Sequence, residues 1–222
     1  MSGQPCQPSG RQIKAIKATL FVLCLVPLTR LAWGAWQDAL GANPIEFIQN
    51  SLGTWTLNFL LITLTLSPLR KYSGWHWLLR LRRMLGLFAF CYALLHLASY
   101  LWLDQFFDWQ AIAKDIVKRP FITVGMAAFI LLVPLAATSN NAMIRRLGGR
   151  RWQQLHRSIY VIAIFGVLHY WWLVKRDVTL PAVYAMLLFL LLLVRAFWRE
   201  QERQRQLAGG RPAKAFTIVA KR

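Results

Sequence analysis

His96, His156 and His169 stand inside long apolar runs of a chain that holds four histidines in all. An imidazole in hydrocarbon is costly unless it pairs or ligates something, so an ionisable group there marks a functional position. His156 and His169 share one run, 13 residues apart, which is about 20 Å along a helix at 1.5 Å per residue. One metal centre cannot reach both. A second helix must supply the partner ligand, and the run holding His96 is its source. Two imidazoles on facing helices clamp an iron axially and leave a porphyrin edge between them. That chemistry is membrane haem and one-electron transfer.

The elements that carry these residues are membrane helices. Apolar residues make up 57% of the 222 positions, and mean hydropathy is +0.39. Six mostly apolar runs have the length a helix needs to cross about 30 Å of hydrocarbon. They cover roughly Ala18–Trp36, Leu52–Leu69, Met84–Leu103, Ile122–Thr138, Gln154–Val174 and Val178–Trp198. Only helices and closed barrels satisfy their backbones in lipid, and a barrel would need alternating segments of about ten residues. The expected fold is therefore all-α, an integral bundle of six transmembrane helices over residues 1–198, followed by a basic tail over 199–222.

The net charge of +19 is a topology signal and gives no sign of nucleic-acid binding. With the amino terminus cytoplasmic, Lys and Arg on that side outnumber those opposite by 21 to 5. The positive-inside rule then places both termini in the cytoplasm, and the chain is expected to be a multi-pass membrane protein. The first run is longer than the apolar core of a signal peptide, and Ala39–Ala42 is a poor cleavage site. Cys6, Cys24 and Cys91 form no C-x-x-C pair and no C-x-x-C-H haem attachment site, so a haem would be held non-covalently. Cys24 and Cys91 read as small packing residues.

Depth selects the ligand pair. His96 lies 13 residues past Arg83, and His169 lies 13 past His156, on two runs that both lead outward. His96 and His169 thus reach similar depths in the outer half of the bilayer, and His156 stays near the cytoplasmic face. The competing role for each ring is a hydrogen bond to a neighbouring helix, worth about 1 kcal/mol or less. Arg30, 13 residues past Lys17, shares the outer depth and either meets a haem propionate there or snorkels to the surface. His76, in Gly74-Trp75-His76-Trp77, reads as interfacial.

Arginines gather at the inner ends of two runs. Arg82 and Arg83 open the third, with Gly86 placed for a close approach, and Arg151 precedes His156 at the start of the fifth. Guanidinium forks suit carboxylates and phosphates, so the targets are haem propionates, a flavin phosphate or membrane lipid headgroups. The outer segment Asp104–Arg119 alternates acids with Phe106, Phe107, Trp109, Ile112 and Ile116. It fits an interfacial position, which serves either partner docking or simple membrane anchoring.

The segments Arg82-Arg83-Met84-Leu85-Gly86-Leu87, Leu94-Leu95-His96-Leu97-Ala98-Ser99-Tyr100, Arg151-Trp152-Gln153-Gln154-Leu155-His156 and His169-Tyr170 resemble the ferric reductase-like transmembrane family. The likeness runs from the basic start to about Trp198. Trp-x-x-Leu-His is widespread in the superfamily, and its combination with these flanks is more specific. It points to the branch that serves periplasmic methionine sulfoxide reduction in Gram-negative bacteria. The resemblance implies haem b, FMN, and electron flow from the quinone pool or a cytoplasmic flavin reductase to a periplasmic molybdopterin methionine sulfoxide reductase. The chain would then be an electron-transfer subunit with its catalytic subunit elsewhere.

Two departures from that family shape the expectation. Full members carry two histidines on the equivalent of the third helix, whereas the positions one step before His96 are Arg82 and Arg83. His156 lacks its expected histidine partner, so either one haem binds and His156 belongs to a quinol or flavin site, or His156 ligates a second, inner haem with a non-histidine ligand or water opposite. After Trp198 too few residues follow for a flavin–nicotinamide domain, and electrons are expected to come from quinol or a separate reductase. Two alternatives stand beside this reading. One is a haem-dependent transmembrane reductase of ferric iron or oxygen fed by a separate flavin reductase, and the other is a non-redox membrane scaffold.

Overall fold

Helix ends are written into the sequence at nearly every turn of the computed structural model, which describes residues 8–174 and 176–208. Ser9 opens α1 (Gly10–Trp36) with a capping box closed by Gln12, so two free N–H groups are satisfied reciprocally. Asn43 caps α2 (Pro44–Ser73), Pro44 holds its first position, and Gly74 ends it at φ 72°, the left-handed stop that glycine supplies. A three-residue 3-10 turn, His76–Leu78, leads into α3 (Leu79–Ser99). The chain then widens into a π turn over Tyr100–Asp104 and bends at Phe106 and Phe107, both at positive φ. Asp108 caps α4 (Trp109–Lys118), and Pro120 starts α5 (Pro120–Ala137).

Beyond α5 come two short helices, α6 (Asn141–Leu147) and α7 (Gly149–His156), then α8 (Ile159–Leu173) and α9 (Thr179–Ala208). The described residues contain no strand. Pro27, Pro68 and Pro134 lie inside helices, as membrane helices tolerate. Among the described residues, five helical segments are long and apolar enough to cross a membrane, namely α1, α2, the stretch through α3, α5 and α9.

The fifth apolar run differs from expectation. In place of one helix over Gln154–Val174, the chain breaks at Arg157–Ser158. The 15-residue α8 covers about 22 Å at 1.5 Å per residue. The break has a local cause. Ser158 Oγ donates to Leu155 O at 2.7 Å, and Trp152 Nε1 donates to Thr138 O at 2.9 Å. The first bond closes the end of α7, and the second ties α7 to the end of α5. At the other end, α9 continues past Trp198 to Ala208, so the start of the basic tail is helical. Cys6 and the Gly209-Gly210-Arg211-Pro212 stretch lie outside the described residues.

Two helix pairs make the bundle, α2 with α3 and α5 with α8. Small residues let them close: Ala89 and Ala163 have no exposed surface, the usual device where lipid offers no hydrophobic drive for helix association. Leu57, Leu60, Leu64, Phe59, Tyr92 and Ile162 fill the core around them. Tyr92 Oη donates to Cys24 O at 2.7 Å and ties α3 to α1. Cys24 is buried as expected, whereas Cys91 lies on an exposed face. Large apolar side chains such as Phe21, Leu23, Ile130 and Phe189 point outward, where acyl chains would cover them.

Ala163→Leu is expected to overpack α8, at a cost of about 1–3 kcal/mol. The check is an earlier denaturation midpoint in detergent. An unchanged midpoint would mean α8 does not pack closely at that position.

Candidate metal centre

His96 comes from the last turns of α3, and His169 from the last turns of α8. The bundle brings the two rings face to edge, with centroids 6.0 Å apart and planes at 78°. Each is half-buried. His96 Nδ1 lies 3.0 Å from Gln49 O on α2, and His169 Nδ1 lies 2.6 Å from Phe121 O on α5. A carbonyl only accepts, so both rings carry the proton on Nδ1 and keep an Nε2 lone pair. That is the tautomer a metal-ligating imidazole presents, its other nitrogen held by a backbone carbonyl.

The inner site is built differently. His156 Nε2 lies 3.0 Å from Thr138 Oγ1. That hydroxyl donates to Pro134 O at 2.7 Å, so the histidine is the donor. Its ring stacks on Trp152 with centroids 3.9 Å apart. His156 ends α7, outside the α8 span, and its pKa is lowered by burial first and then by the charges of Arg82 and Arg83. Arg83 also donates to Asn141 Oδ1 at 2.7 Å, while Arg82 lies within electrostatic range of Tyr160 and Arg195. Arg195 donates to Tyr160 Oη at 2.7 Å and to Leu64 O. Its Nε, like Thr63 Oγ1 and Arg70 Nε, is buried with no partner.

Other expected residues are placed apart. Arg30 is exposed on α1, with no hydrogen bond or ion pair among the described residues. Its exposure suits a snorkelling arginine, whose long stem lets the charge reach water, and leaves its guanidinium open to an anionic group outside the protein chain. Arg151 is exposed on α7 and His76 is exposed on its 3-10 turn, the latter in keeping with an interfacial position. Gly86 faces open space. Gly53 and Gly125, which lie against His96 and His169, were not singled out from the sequence. An interior glycine one turn after the carbonyl that holds a ring is a pattern visible only once the helix pairing is known.

The profile of the ferric reductase like transmembrane component family matches residues 51–167, a stretch that includes His96 and His156. The chain belongs to this family. Within it, the chain falls in the MsrQ group. It is 62% identical over 200 residues to the protein-methionine-sulfoxide reductase heme-binding subunit MsrQ of Azospira oryzae, covering 90% of this chain and 84% of that one. It is 56% identical over 203 residues to the MsrQ of Herminiimonas arsenicoxydans, covering 90% and 93%. The MsrQ of Ralstonia nicotianae is 49% identical over 209 residues, covering 93% and 96%. Those relatives are named as haem-binding subunits, and the donor set here fits such a group. A metal–imidazole bond is about 2 Å long, and a centroid separation of 6.0 Å is of the size that two imidazoles sharing one ion require. Gln49, whose backbone carbonyl holds His96, has a buried side-chain Nε2 without a partner among the described residues.

Proposed function

We propose that the chain is the haem-bearing membrane subunit of a methionine sulfoxide reductase system, carrying electrons outward across the bacterial inner membrane. The reading has six membrane crossings, with α8 as the fifth and both termini in the cytoplasm. The observation that carries it is the His96–His169 pair, two rings with matched tautomers and both Nε2 atoms free. Haem b bound there would supply reversible one-electron chemistry at iron. The protein's own part is to fix the rings. Gln49 O and Phe121 O hold the Nδ1 protons, and the α2–α3 and α5–α8 pairs keep the site within the bundle.

Electrons enter at the opposite end, from quinol or from a cytoplasmic flavin reductase. There Arg82 and Arg83 form a cationic group beside the neutral His156 ring, Tyr160 and Arg195, suited to an anionic donor or to a flavin phosphate such as that of FMN. They leave near the outer segment, where α4 and the exposed Phe106, Phe107 and Trp109 meet a periplasmic molybdopterin methionine sulfoxide reductase. That partner reduces the sulfoxide.

The test is anaerobic. Purified protein carrying reduced haem is mixed with the exported reductase and a methionine sulfoxide peptide. Reoxidation that consumes sulfoxide is the expected result. Reoxidation by ferric citrate or oxygen, with none through the reductase, would assign the chain to direct iron or oxygen reduction instead.

A further inference from the structure

Both rings rest on glycine. A Cβ added at Gly125 would stand 2.8 Å from His169 Nδ1, 3.0 Å from its Cε1 and 3.4 Å from its Cγ. At Gly53 it would stand 3.2 Å from His96 Cε1 and 3.4 Å from its Nδ1. Each glycine lies one helical turn after the residue whose carbonyl takes that ring's Nδ1, Gly125 after Phe121 and Gly53 after Gln49. The same turn of helix thus carries a carbonyl that sets the ring's rotation and a bare Cα that admits the ring.

An interior helical glycine costs about 1 kcal/mol relative to alanine, so such a position needs a packing reason. Gly86, also inside a helix, has nothing within 4 Å of an added Cβ. Gly34 and Gly166 would meet leucine side chains, so among the described residues contact with a histidine ring is particular to Gly53 and Gly125. The His169 ring cannot swing clear of a methyl at no cost, because Phe121 O holds it at 2.6 Å. The Phe121 ring, at 6.1 Å, and His96, at 6.0 Å, stand beside it.

We propose that Gly125 and Gly53 are positioning residues for the two imidazoles, letting α5 and α2 close on His169 and His96 so that backbone carbonyls fix the orientation of each ring. This rests on the reading of His96 and His169 as haem ligands. Gly125 is the tighter contact and has the larger effect.

The experiment compares Gly125→Ala, Gly53→Ala, Gly86→Ala and His169→Ala, purified in detergent and checked for helicity and monodispersity. Gly125→Ala is expected to keep haem but to lose part of the native low-spin EPR signal, with displaced g values and a shifted midpoint potential. Gly53→Ala shifts in the same sense by less, and Gly86→Ala matches the wild type. Folded Gly125→Ala and Gly53→Ala proteins with wild-type EPR and potential would overturn the proposal. If Gly125→Ala does not accumulate, Gly53→Ala decides alone, and a wild-type result there overturns it. A full low-spin signal in His169→Ala would instead remove the ligand reading on which the proposal stands.

Discussion

Replacing either His96 or His169 by alanine is expected to abolish the low-spin haem spectrum while the helical fold survives. Each ring offers the site one Nε2, and each is held for that role by a carbonyl on the neighbouring helix. Removing one leaves an iron with a single protein ligand and an open position. The visible spectrum then loses its sharp reduced α and β bands, and EPR reports high-spin iron or no iron. His156 is no substitute, because its Nε2 is engaged with Thr138 Oγ1 and it belongs to the opposite end of the bundle. Circular dichroism separates loss of the centre from loss of the fold. Full low-spin signal in both single variants would exclude the pair as ligands.

His156→Ala should give the complementary phenotype. The outer spectrum stays intact, and reduction from the cytoplasmic side slows on the order of tenfold, the low end of what losing a supporting group costs a metal site. The ring stacks on Trp152 and bridges α7 to the end of α5 through Thr138. Arg82 and Arg83 lie close enough to lower its pKa. Its loss loosens the group proposed to receive the donor. Stopped-flow reduction by a flavin reductase or a quinol analogue reads the effect directly. Loss of the outer spectrum in a folded His156→Ala protein would force a different ligand assignment, and an unchanged rate would leave His156 a helix-packing residue.

Much of this arrangement follows from one-dimensional spacing. Equal counts of residues from the inner ends of two runs put His96 and His169 at one depth, and the structure brings their rings to 6.0 Å. Hydropathy could not locate the break at Arg157–Ser158, because it depends on where Trp152 and Ser158 find acceptors. Arg30 shares the expected outer depth and is exposed on α1, and depth alone says nothing about rotation around a helix. The same blindness explains the glycines. Gly86 stood beside the arginines and drew attention, whereas Gly53 and Gly125 are set by which helix face meets which ring.

The two rings are also separated in time. His96 belongs to the first helix pair and His169 to the second, 73 residues later in the chain. At 5–20 residues per second a ribosome takes roughly 4–15 s to cover that interval. During that interval the first pair already offers its imidazole to the bilayer with nothing opposite it. The cleft exists only once the later hairpin has been inserted and has docked, so a haem held as proposed would arrive after translation of α8. A bound group bridging the two hairpins then acts as a latch, stabilising the docked state by mass action. Cells starved of that group would accumulate a loosely joined pair of hairpins, the form most exposed to membrane proteases.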